Sequence, residues 1–181
     1  MRRANTFLDL FLLILAIILV VTAAVWYPAL PDRSVIHMNG AGQPDGWAER
    51  NPITWSLLPG LGLLLALVLR SVGRWMEGSA AKKPKGFNMP DQKRFMALSE
   101  EDRRTALTPT ATYLRYTAVM ILVLFTYIIE GLGRLSTEHA DAWPAWPVFF
   151  LVMLIIAGIP WLIRRTRRAI LEAPSGHQTH T

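Results

Sequence analysis

Seven acidic or histidine side chains sit in two polar connections of a largely apolar chain. Asp32, His37, Asp45 and Glu49 lie in the first, and Glu138, His139 and Asp141 in the second. Histidine nitrogens and carboxylate oxygens are the donors that zinc and other divalent ions prefer. If the two connections meet, His37, Asp45 and His139 are the candidate ligands. Their spacing gives this little support, since there is no His-x-x-x-His or Glu-x-x-His repeat and no cysteine. Asp32 and Asp45 also stand where turns favour aspartate, accepting from nearby backbone amides. No nucleophile–base pair is apparent, because Ser34 and His37 differ by an odd number and face opposite sides of a strand. Gly60-Leu61-Gly62 lies inside an apolar run, where close helix packing explains it better than phosphate binding. No cofactor, no resident metal and no enzymatic activity are expected; a metal-dependent membrane enzyme stays as a third reading.

The elements that hold these residues are set by hydropathy. The chain has 181 residues, 52% of them hydrophobic, seven tryptophans and a formal charge of +6. This composition belongs to the membrane class. A helix needs about 20 mainly apolar residues to cross a bilayer. Four segments qualify: Phe7–Tyr27, Ile53–Leu69, Tyr113–Leu135 and Trp146–Ile163. Val21-Thr22-Ala23 is compatible with signal cleavage, but the apolar run continues through Trp26 and reads as an uncleaved span. The third span requires Arg115 to snorkel and Glu130 to lie near the opposite interface. Glu130 and Arg134 are four apart and share a helix face. They are an interfacial pair or a polar group turned into the bundle. Pro59, Gly158 and Pro160 are expected to kink or loosen their helices.

Direction follows from the basic residues. With the N-terminus inside, sixteen of the nineteen lysines and arginines are cytoplasmic, and only Arg33, Arg50 and Arg134 are outside. The positive charge is therefore topological, and nucleic acid is excluded as the reason for it. The bilayer is the partner the sequence demands. A membrane or cytoplasmic protein partner is a further expectation, and the oligomeric state is left open.

The chain then divides into a first hairpin with its outer loop (1–72), a cytoplasmic basic and amphipathic segment (73–112), a second hairpin (113–163) and a basic tail (164–181). Ser79–Lys85 reads as a flexible joint. Ser99 and Asp102 form a capping pair for a short helix. Phe87, Met89, Phe95, Met96 and Leu98 make the adjoining segment amphipathic, so it is expected to lie on the inner leaflet or to dock a partner. The fold expected is all-α, with four transmembrane helices, both termini inside and a small ordered extracytoplasmic loop.

That loop, "YPALPDRSVIHMNGAGQPDGW", is more specified than a linker needs to be. Pro28 and Pro31 fix the chain as it leaves the first span. Ser34–Met38 alternates like a strand, with Val35 and His37 on one side and Ile36 and Met38 on the other. Asn39-Gly40 signals a turn, and Gln43–Gly46 a second one. Trp47 is expected to fold back onto the interface. His37 and Asn39 are expected to organise this cap as a buried imidazole and amide satisfying backbone groups.

Followed by an apolar helix, the segment closely resembles domain-of-unknown-function family 1648. Pro28, Leu30, Pro31, Asp32, His37, Asn39, Gly42, Pro44, Asp45, Gly46 and Trp47 stand at the family's motif positions. Ser34-Val35 replaces a usual Ile-Pro, and Met38 a usual Phe. The resemblance spans roughly residues 12 to 65 and implies a bacterial plasma-membrane protein. The same domain begins the SdpI-type immunity proteins, which links it to toxin resistance and to signalling through a repressor. Their second membrane half has no convincing counterpart in Tyr113–Ile163. The reading that remains is a non-enzymatic membrane protein binding or sensing at its outer face, with immunity as the alternative.

Overall fold

The apolar runs form helices because a helix satisfies every backbone group inside hydrocarbon within a single segment. The computed structural model describes residues 2–80, 82 and 89–173. Its elements are α1 (Arg2–Trp26), β1 (Arg33–Met38), β2 (Pro44–Glu49), α2 (Pro52–Trp75), α3 (Gln92–Ala97), α4 (Glu100–Ser136) and α5 (Trp146–Glu172). Four helices are long and apolar enough to cross a membrane. Large apolar side chains such as Phe11, Leu64 and Phe149 stay exposed along them, as a lipid-facing surface requires.

The chain forms two compact units. The first, Met1–Leu67 with Ala118–Leu154, holds α1, the two strands and parts of α2, α4 and α5. Leu12, Leu19, Leu122 and Ile129 are buried within it. Trp55 donates its indole N–H to the Ala23 carbonyl at 2.8 Å, and Gly62 lies against the Phe125 ring.

The second unit, Val68–Thr117 with Ile155–Thr181, contains α3. Phe95, Leu98, Ala106, Leu107, Ile170 and Met76 form its core. Within the amphipathic segment Phe95 is fully buried against α4 and α5, which give it a packed apolar surface. Phe87 and most of the Ser79–Lys85 joint lie outside the described residues, and Ser79 and Ala80 close a π-helical turn, Met76–Ala80. Arg94 donates to the Ile170 and Leu171 carbonyls and so serves carbonyls that α5 leaves open at its end. Arg167 meets Asp91 at 2.9 Å.

Two expectations are corrected in this unit. Ser99 does cap Asp102, its Oγ accepting the Asp102 N–H at 3.1 Å, but the helix it starts is not short. It continues past Pro109 as the 37-residue α4, so the boundary at 112/113 falls inside one helix. The boundary at 163/164 likewise falls inside α5. Arg115 does not snorkel. Its side chain is 3% exposed, and its two terminal nitrogens meet both Glu77 oxygens at 3.1 and 2.7 Å. The π-helical turn carries this part-buried carboxylate, and a two-point charged contact holds a guanidinium more firmly than a distant interface can.

Candidate functional site

The connection between α1 and α2 is a two-stranded antiparallel hairpin. Its ladder pairs Arg33 with Glu49, Ser34 with Ala48 and Val35 with Trp47, then steps to His37 with Gly46 and Met38 with Pro44. Ile36 is thus an extra residue on β1, and Asp45 is an extra one on β2. These two bulges on opposite strands restore the register.

They also overturn three expectations. Gln43–Gly46 is not a second turn, because Pro44 opens β2, the strand position where a missing N–H costs least. The alternation fails after Val35, which is buried while His37 is exposed. His37 is therefore no buried organiser. Its side chain is 69% exposed, and Nδ1 lies 2.6 Å from Asp45 Oδ1 rather than on turn carbonyls. The Asp45 carboxylate has that imidazole as its partner instead of a backbone amide. Gly46 leaves room for the crossing, since a Cβ there would come 2.9 Å from the His37 Cβ.

Asn39 does organise the turn. Its Oδ1 accepts the N–H groups of Ala41 (2.9 Å) and Gln43 (3.1 Å), and its carbonyl accepts from Gly42 at 2.9 Å. The left-handed position is Gly42, with φ 78°. Pro28 sits in the single 3-10 turn that ends α1, and Pro31 precedes β1. The Asp32 carboxylate is solvent-exposed and lies 3.9 Å from Arg50; it is the Asp32 carbonyl that is used, accepting the Arg50 N–H at 2.7 Å. Trp47 stays half exposed opposite Val35.

Contacts distant in sequence fasten this hairpin to α4 and to the α4–α5 connection. The buried Val35 N–H donates to Ser136 Oγ at 2.8 Å. Trp143 donates its backbone N–H to the Gly42 carbonyl at 2.9 Å. Its ring lies 5.1 Å from Tyr127, with the Arg134 guanidinium 5.7 Å above it. Glu130 joins both readings given to it. It pairs with Arg134 at 2.7 Å, and it also accepts the Trp26 indole N–H at 2.7 Å, so one oxygen faces α1. His139 turns to Thr137 and lies edge-on to Trp26. Among the described residues no three of His, Asp, Glu and Cys converge, so His37, Asp45 and His139 do not form one donor set.

Neither docking contact is legible in the sequence: a serine at a helix end and a tryptophan near a span end look alike whether or not a strand docks on them. Ser136→Ala is expected to cost about 1–3 kcal/mol, because it orphans a buried backbone donor. His37→Ala, which removes an exposed pair, should cost no more than about 1 kcal/mol. Thermal unfolding of both variants in detergent checks the ordering, and equal losses would refute it.

Below the hairpin lies a cleft of about 260 Å³. Val35, Trp55, Leu58, Leu61, Ile129 and Leu132 give it apolar walls. Its polar lining is Ser34, Glu49, Asn51 and Thr54. Such concavity with few polar groups suits binding, and its volume falls just under the range of drug-sized pockets. No curated protein and no solved structure matches the chain. Residues 13–63, which comprise most of α1, both strands and the first half of α2, match the model described as Domain of unknown function (DUF1648). It is by this first hairpin that the chain resembles the DUF1648 family.

Proposed function

We propose that the chain is a non-enzymatic, multi-pass protein of the bacterial plasma membrane, with both termini in the cytoplasm, that binds or senses a ligand at its outer face. The observation that carries this reading is the cleft beneath a hairpin whose edges are tied down by Ser136 and Trp143. A connection serving only to join two spans needs neither a cleft nor contacts about a hundred residues distant. The orientation rests on the charge bias, sixteen basic residues to three. A membrane or cytoplasmic protein that reads the event is part of the same proposal.

Topology tests the reading directly, since the chain has no cysteine. A cysteine at Gly40, where a Cβ meets nothing within 4 Å, should react in intact cells with a membrane-impermeant maleimide. One at the exposed Lys82 should react only after permeabilisation. The reverse pattern would place the cleft on the cytoplasmic side and defeat the proposal.

A further inference from the structure

The cleft's lining and position narrow the class of ligand it fits. Its lining on α2 runs from Thr54 to Leu61, and α2 begins at Pro52. At 1.5 Å per residue, Leu61 lies about 14 Å along the axis from that start. This is roughly half the 30 Å hydrocarbon thickness, the depth of one leaflet. Leu57 and Leu61, which line the cleft, are 66% and 45% exposed, so its mouth is continuous with the apolar surface turned to lipid. Its inner wall, by contrast, is Ile129 and Leu132, which are 0% and 4% exposed. A groove that reaches about one leaflet down α2, is open sideways to hydrocarbon and takes its polar lining from the hairpin and the start of α2 has the form of an acyl chain beneath its headgroup.

We propose that this cleft holds one acyl chain of a bilayer phospholipid whose ammonium-bearing headgroup lies against Glu49, Asn51 and Thr54. The inference rests on the ligand-binding reading of the same site and names the ligand class. Lipid tails elsewhere are as apolar as leucine, so the walls alone give no preference for one lipid over another. Selection has to come from the rim. Among the described residues, Glu49 is the one charged side chain lining the cleft. A carboxylate attracts an ethanolamine ammonium and repels a second anion such as a phosphatidylglycerol headgroup.

The test uses the full chain in nanodiscs containing phosphatidylethanolamine with a diazirine in one acyl chain. After photolysis, mass spectrometry should find adducts on Ile129 and Leu132 as well as on exposed residues such as Phe149. Leu61→Trp, which adds bulk at the exposed mouth, should cut the inner-wall adducts several-fold and leave the Phe149 adduct unchanged. The same probe with a glycerol headgroup should label the inner wall several-fold less, and Glu49→Gln should narrow that difference. Adducts confined to Leu64, Phe149 and other exposed side chains would overturn the site. So would an apolar peptide, rather than lipid, retained by the purified protein in native mass spectrometry. Equal inner-wall labelling by both headgroups would overturn the role of Glu49. The readout does not depend on which way the hairpin faces, so a reversed topology and an empty cleft are distinguishable failures.

Discussion

Glu77→Ala should be among the most damaging single substitutions in the chain, lowering stability by about 3–5 kcal/mol. Arg115 is 3% exposed at its side chain, and the carboxylate takes both of its terminal nitrogens. Removing the acceptor takes a two-point carboxylate partner from a guanidinium that is itself almost wholly buried. The double variant Glu77→Ala/Arg115→Leu separates a lost partner from a lost shape. A buried ion pair replaced as a unit by apolar side chains is often near neutral, so the double variant should recover most of the loss. Thermal melting in detergent, followed by size exclusion, reads both. A double variant as unstable as the single one would show that the π-helical turn, not the charge, was at fault.

Gly42→Ala is expected to cost about 2–3 kcal/mol and to release the α4–α5 connection. A left-handed residue with a Cβ costs about 1–2 kcal/mol, and Gly42 has φ 78°. The added carbon would also fall 1.7 Å from the Trp143 carbonyl oxygen, so the Trp143–Gly42 hydrogen bond must break. Its loss adds about 0.5–1.5 kcal/mol. Limited proteolysis should cut near Asp141 far sooner than in the wild type. Gly40→Ala is the control: its Cβ meets nothing, and the change should stay within about 0.5 kcal/mol. Equal protease resistance in the two variants would mean that the second connection does not depend on the first.

The four spans were legible because hydropathy over 20 residues is a local property, and the Ser99 cap and the Asn39 turn were legible for the same reason. The second strand was hidden. Pro44-Asp45-Gly46 has the composition of a turn, and only a bulge at Asp45 lets it pair. The same bulges defeated the period-two reading that would have buried His37. Arg115 was misread because its counter-charge lies 38 residues away on a turn that composition does not reveal. The Glu130–Arg134 pair, four residues apart, was visible; its third member, Trp26, was not.

The long sequence separation of the hairpin's fastenings sets an order of assembly. Val35 and Ser136 are 101 residues apart, and Trp26 and Glu130 are 104 apart. At bacterial and eukaryotic synthesis rates of about 5–20 residues per second, the ribosome needs about 5–20 s to supply the second partner of each pair. For that interval the DUF1648 hairpin exists as an intermediate, its Val35 amide and Trp26 indole served by water, headgroups or an insertion chaperone. The family's own segment therefore reaches its final form only after α4 has been made, and truncation before Ser136 should leave it membrane-bound yet readily degraded.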